Sequence, residues 1–312
     1  MSEIARIEYD EFGLFHENAA EFGLAFAGPP VVRRQAVMVD DSRQLSALVW
    51  GTEDPEFVVL HGGAQNAHTW DTVALALNRS MVAIDLPGHG HSDEARFSSV
   101  DVTANAADIA AAIRAVAPVA QVVIGMSLGG MTALALSAQA PELVHKLVLV
   151  DVTPGVNAKK SQVISAFING PDSFQDFDAL LARTIEYNPT RTVSSLRRGI
   201  LHNALQRPDG SWAWRYARLR PPADAAGSTG SDAGGHPNFS ALWDAVSGLK
   251  VPLMLVRGML AQSVVDDDDE AEVRRRQPSA EIVHVDNAGH SVQGDAPVEL
   301  ARMIARFADT PQ

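Results

Sequence analysis

Three groups of residues in this chain have the types and spacing to do chemistry together. The first is Gly125-Met126-Ser127-Leu128-Gly129, which follows a strand-like run, Gln121-Val122-Val123-Ile124, and precedes a small-residue, helix-prone run from Gly130 to Ala140. Strand, G-x-S-x-G, helix describes a sharp turn that holds a serine hydroxyl out at the carboxyl end of a strand, with glycines relieving the crowded backbone. A serine hydroxyl is a weak nucleophile. It needs a base to take its proton and donors to hold the oxyanion it creates. The second group is Ala288-Gly289-His290-Ser291, a late loop whose histidine could reach the serine as general base. The third is His61-Gly62-Gly63-Ala64-Gln65, directly after the apolar run Phe57 to Leu60. A glycine-rich loop there can bring backbone N–H groups close to a substrate oxygen, so the N–H groups of Gly63 and Leu128 are the expected oxyanion hole.

The other histidines are weighed against structural roles. His284 lies inside a strand pattern. His89 and His91 form an H-x-H in the turn Asp85-Leu86-Pro87-Gly88-His89-Gly90-His91-Ser92 but have no third ligand nearby, so no metal site is expected. His61 and His68 could line the site without moving protons.

Composition narrows the field. The chain has 312 residues, 38 of them acidic and 25 basic, for a net charge of −13. Such a surface repels phosphate backbones and anionic lipid, which argues against nucleic-acid and membrane partners. There is no cysteine, hence no disulfide, thiolate metal site or thiol nucleophile. The first residues lack a basic stretch followed by an apolar one, and no run of about 18 apolar residues occurs. A cytoplasmic location is the resulting expectation.

The elements that must position these groups alternate. A hairpin is predicted from Ala36 to Val39 and Leu45 to Trp50, with strands over Phe57 to Leu60, Met81 to Ile84, Gln121 to Ile124, Lys146 to Val150, Leu253 to Val256 and Glu281 to Val285. Helices are predicted over Trp70 to Leu77, Val102 to Ala117, Met131 to Ala140 and Pro297 to Phe307. This pattern implies an α/β fold, a largely parallel sheet with helices on both faces. It breaks between about residues 153 and 250, where helices are predicted over Lys159 to Ile168, Phe177 to Glu186 and Thr192 to Leu205, beside an aromatic cluster of Trp212, Trp214 and Tyr216. The Gly-, Ala- and Ser-rich stretch 223–235 has little to bury and is expected to be a mobile loop.

His61-Gly62-Gly63, Asp85 with Gly88-His89-Gly90 and Ser92, Gly125-Met126-Ser127-Leu128-Gly129-Gly130 and Gly289-His290 stand in the order and spacing of the α/β-hydrolase superfamily, which the chain resembles over about residues 35–152 and 250–310. The resemblance implies a mostly parallel eight-stranded sheet formed by residues 1–152 and 250–312, with residues 153–249 inserted as a helical cap. Many members place the catalytic acid shortly after the strand equivalent to Leu253 to Val256, but Gly258 is followed here by Met259-Leu260-Ala261-Gln262, without a carboxylate. Two candidates remain. Asp151 ends the strand after the helix predicted over Met131 to Ala140, where some members carry their acid. Asp266 opens the run Asp266-Asp267-Asp268-Asp269-Glu270, which also reads as the acidic start of a helix that closes with Arg274-Arg275-Arg276. Asp151 is the first choice, on strand-end geometry.

The expected activity is serine hydrolysis of a small or medium apolar carboxylic ester or lactone through an acyl-enzyme, with no cofactor or metal required. Trp70, Trp212 and Trp214 are the expected substrate contacts, with Phe167, Phe174, Phe177 and Trp243 as further aromatic candidates, although a small cap also needs aromatics for its own core. Two other readings stay open: cofactor-free hydrolysis of a carbon–carbon bond on the same residues, and a hydrolase-fold binding protein without turnover.

Overall fold

In the computed structural model, which describes residues 6–97, 100–157, 159–216 and 239–311, the chain opens with helix α1 (Phe15–Glu21) and an antiparallel hairpin, β1 (Val32–Met38) and β2 (Gln44–Trp50). Strand β3 (Phe57–Leu60) leads through a 3₁₀ turn, Ala67–Trp70, into α2 (Asp71–Leu77) and then β4 (Met81–Ile84). Next come α3 (Val102–Val116), β5 (Val122–Met126), α4 (Leu128–Gln139) and β6 (Leu147–Val150). Every residue of β3, β4, β5 and β6 is buried, as short apolar runs must be when helices cover both faces of a sheet. Helix α3 starts where the Asp101 carboxylate accepts the N–H groups of Thr103 and Ala104, and ends just before Pro118.

The following stretch holds α5 (Gln162–Ile168), β7 (Ser173–Phe174), α6 (Phe177–Tyr187), α7 (Val193–Asn203), β8 (Ala204–Gln206) and β9 (Trp212–Trp214). The three expected helices are present. The small antiparallel sheet, ordered β7-β9-β8, was not expected. Strands of two or three residues are too short for an alternating pattern to register. This stretch has its own apolar cluster, in which Phe174, Leu180, Ile200, Leu201, Ala204 and Trp212 are buried. The sequence 223–235 lies outside the described residues.

Helix α8 (Leu242–Gly248) returns the chain to β10 (Leu253–Gly258), α9 (Asp267–Arg276), β11 (Glu281–Val285), α10 (Val292–Asp295) and α11 (Pro297–Asp309). The main sheet has the order β1-β2-β4-β3-β5-β6-β10-β11. Only β2 runs against its neighbours; the pairs from β4 through β11 are parallel. Alternate residues feed two cores. Val58 and Leu60 of β3 join the cluster with α3 and α4, and Phe57 and Val59 join the one with α2 and α11. Among the described residues no helix is long and apolar enough to cross a membrane.

This order places β5 between β3 and β6. The loop after β3, the turn after β5 and the end of β6 therefore meet at one carboxyl edge of the sheet, where open parallel sheets form ligand crevices.

Candidate active site

Ser127 occupies the turn between β5 and α4 with φ 51° and ψ −119°, a conformation that a residue with a side chain adopts only under constraint. The constraint is visible in its neighbours. A β-carbon on Gly125 would run into the carbonyl of Gly129, and one on Gly129 would run into the carbonyl of Leu60. Glycine at both positions lets α4 pack directly against the strands, and the serine pays for the tight turn with its strained backbone. Ser127 and His290 line the same cavity, of about 470 Å³, between the sheet edge and α5, α6 and α7.

His290 is oriented by Asp151. Their Nδ1 and Oδ2 atoms lie 2.9 Å apart, and the Asp151 side chain is fully buried. The same carboxylate accepts hydrogen bonds from Gly258 N–H (2.9 Å), Ser263 Oγ (2.6 Å) and Val264 N–H (3.0 Å). With a carboxylate on Nδ1, the imidazole carries its proton there and leaves Nε2 as the basic nitrogen. Asp151 has φ 47°, a second left-handed residue at the same edge. The other acid candidate is elsewhere. Asp266 caps α9, accepting Asp269 N–H at 3.0 Å, while Asp269 bonds back to Asp266 N–H, and Lys160 neutralises Asp266 at 2.7 Å.

The loop after β3 is pinned from below. His61 is fully buried; its Nδ1 meets Gly62 O at 2.7 Å and its Nε2 accepts the N–H of Leu86 at 2.9 Å. Burial pushes the His61 pKa down, which keeps the ring neutral and suits one donor and one acceptor nitrogen. Gly63 lines the cavity, and among the described residues its N–H meets no acceptor. Leu128 is the first residue of α4, so its N–H has no partner within the helix. These are the two donors the sequence singled out.

The aromatic expectations divide. Trp214 is half-buried and lines the cavity with Phe167, their rings 5.7 Å apart edge to face. Trp70 is not a cavity residue: it is fully buried under the sheet in the core with Phe15, Trp50 and Phe57. Trp212 is not one either. It packs on Phe177 and is buried within the small cluster, whereas Trp214, two residues on and on the same face of β9, packs at the edge of that cluster and borders the cavity. Phe174 belongs to that cluster, and Trp243 packs beneath the Arg276 guanidinium on α8.

Several residues that sequence reasoning passed over complete the site. Gln293 Nε2 reaches Gln65 Oε1 at 3.3 Å and Thr69 Oγ1 at 3.2 Å, tying the His290 loop to the loop after β3. Asn203 at the end of α7 donates to Ala64 O at 2.7 Å, and Asn66 donates to His202 O at 2.9 Å, so α7 clamps that same loop. Amide side chains carry no motif, and only proximity reveals them. Ser263 stands a few residues past Gly258, in the loop where the superfamily resemblance led us to expect an acid; that was the available signal.

One further polar cluster borders the cavity. His68, Asp71 and His202 bring three ligand-type atoms within 4.8 Å of one another. The His68 and His202 rings are stacked, 3.8 Å apart and 12° from parallel, so their lone pairs do not converge on a point. Both His68 nitrogens face carboxylates, Asp71 Oδ2 at 2.8 Å and Glu11 Oε1 at 3.1 Å. Burial alone would push His68 down, but the flanking Asp71 and Glu11 outweigh it and push it up to about 9. The carboxylates on both sides favour the protonated form of His68, and the cluster does not have the geometry of an open chelate.

A model of the alpha/beta hydrolase family matches residues 57–303. The chain belongs to that family. Within it, the chain is 42% identical to esterase Rv0045c of Mycobacterium tuberculosis over 308 residues, 96% of each protein. A crystal structure of that esterase superposes with a TM-score of 0.80 at 39% identity, covering 98% of this chain and all of the other. A second relative, 2-(acetamidomethylene)succinate hydrolase of Mesorhizobium japonicum, is 27% identical over 258 residues, 82% of this chain and 88% of its own. A solved E-2-(acetamidomethylene)succinate hydrolase shares the fold, with a TM-score of 0.74 at 22% identity over 90% of this chain and all of that one.

Proposed function

We propose that the protein is a serine esterase that hydrolyses carboxylic esters or lactones through a Ser127–His290–Asp151 triad. The observation that carries this reading is the conjunction of a strained Ser127 and an Asp151-bound His290 on one cavity. The full-length likeness to an esterase supports it. His290 Nε2 takes the Ser127 proton as Oγ bonds to the ester carbonyl carbon, and the carbonyl electron pair moves onto oxygen. The N–H groups of Gly63 and Leu128 hold that oxyanion. The carbonyl re-forms, the alkoxide leaves and His290 returns the proton to it. Water then attacks the acyl-serine with His290 again as base, releasing the acid and restoring Ser127. Residues 153–249 act as a cap over the cavity, and Trp214 and Phe167 provide apolar contact for the ester. The residues present suffice for these steps without a cofactor.

The test is covalent labelling with a fluorophosphonate probe, followed by an ester panel of graded acyl length. Labelling confined to Ser127, with turnover that vanishes in Ser127→Ala, is the expected result. A protein that neither labels nor turns over any ester is a binding protein on this fold, and the reading fails.

A further inference from the structure

Arg191 lies on the turn before α7 and lines the cavity shared by Ser127 and His290. Its guanidinium packs on α10, where a β-carbon on Gly294 would collide with Nη1. Gly294 is four residues beyond His290, so the cation stands on the histidine side of the cavity. Its hydrogen bonding is incomplete. Among the described residues the side chain has one partner, the Ser195 hydroxyl, which Nη2 meets. Its Nε is buried and has no acceptor.

No carboxylate lies within ion-pairing distance of Arg191 among the described residues, and the acids nearby are engaged. Asp295 accepts Gly289 N–H at 2.9 Å and the Thr190 hydroxyl at 3.0 Å. Glu21 is taken by Arg198 and the Thr192 hydroxyl. The protein's other enclosed arginines differ: Arg34 has Glu11 and Asp85, Arg43 has Asp108, Arg198 has Glu17 and Glu21, and Arg257 has Glu270. Burial pushes the Arg191 pKa down, partly offset by the more distant charges of Asp295 and Glu21 and reinforced by Arg198. A guanidinium cannot shed its charge at ordinary pH, so one enclosed without a counter-charge is costly. In a chain of net charge −13 with acids to spare, the missing partner is the informative feature.

We infer that Arg191 binds an anionic group of the substrate, so that the ester hydrolysed at this site also carries an oxyacid anion, a carboxylate or a phosphate. This rests on the esterase reading above. The guanidinium fork matches either anion through paired N–H donors, and the Ser195 hydroxyl adds another. The apolar wall of Ile164, Phe167, Leu196 and Trp214 then faces the carbon chain between the anion and the scissile carbonyl.

The experiment compares mono-p-nitrophenyl esters of succinate, glutarate, adipate and pimelate with their methyl-capped neutral counterparts. A parallel arm uses p-nitrophenyl acyl esters bearing a terminal phosphate. Active serine is counted by fluorophosphonate titration in every preparation. The wild type should favour one anionic series over its neutral counterpart by about tenfold to a hundredfold in kcat/KM, mostly through KM, as charge-assisted hydrogen bonds would give. The preferred arm identifies the anion. The anionic-to-neutral ratio should fall to one or below in Arg191→Gln and take an intermediate value in Arg191→Lys. A wild type that turns over neutral esters with no preference for either anion overturns this inference and leaves the esterase reading standing. No labelling and no turnover of any ester removes both. If Arg191→Gln does not fold, the wild-type ratio and Arg191→Lys decide.

Discussion

The two walls of the cavity are built on different principles. On the sheet side, Asp151 accepts three protein donors in addition to His290, Ser127 is forced to positive φ, and Gly62 N–H is held by Gln65 at 3.1 Å. On the other side, α5 contributes no fully buried residue, and its Val163 is 60% exposed. That side is joined to the loop after β3 by a few side-chain bonds, such as Asn203 to Ala64 and Asn66 to His202. Groups that must meet within tenths of an ångström are placed where the hydrogen-bonded ladder leaves little freedom. The groups we propose to contact the substrate lie on helices whose surfaces can vary without disturbing the sheet.

This contrast can be broken by substitution. The largest effect should come from Ser127→Ala, which is expected to lower ester turnover by at least about 10⁴-fold while the circular dichroism spectrum is retained. Substantial turnover in a clean preparation would place the nucleophile elsewhere. Asp151→Asn should lower kcat by about 10⁴-fold by favouring the wrong imidazole tautomer, whereas Asp266→Asn should change turnover by no more than about twofold, since asparagine also caps helices. The reverse order in steady-state kinetics would move the acid to the loop after β10.

The two tryptophans sharpen the contrast in another measurement. Trp70→Ala should cost about 3–5 kcal/mol in urea unfolding, the usual loss for a large aromatic removed from a core. Trp214→Ala should act mainly by raising KM for esters. Equal destabilisation by both would erase the distinction between a core residue and a cavity-lining one.

A smaller effect concerns the seam between the walls. His68 has its pKa raised from the ordinary 6.5 to about 9, so its protonated form is favoured by folding. The stability it contributes is fully present below about pH 6.5 and is lost as pH rises through about 9. The wild type should lose roughly 2–3 kcal/mol between pH 7 and 10 from this group, and His68→Gln should flatten that slope in melts across the range. An unchanged slope would mean that His68 is neutral in the folded protein.

The sequence by itself determined the parts whose signals are local. The strands over Phe57–Leu60 and Met81–Ile84 were legible to the residue because they are short apolar runs bounded by turn residues and covered on both faces, and the edge strand Glu281–Val285 was legible from its β-branched residues. The serine turn was legible because its glycines are required by its own backbone. The acidic start and basic end of α9 were legible because helix termini are electrostatically polar. What lies across space was not. Trp70 and Trp214 are the same residue type in apolar surroundings, and only the packing of the 3₁₀ turn under the main sheet and the place of β9 at the cavity decide which one meets it. The partners of Asp151 come from residues 258, 263, 264 and 290, more than a hundred positions away, and Arg191 meets α10 across a similar gap. Local conformation follows from neighbours along the chain, but hydrogen-bond satisfaction and burial are settled by neighbours in the fold, which the tertiary structure alone supplies.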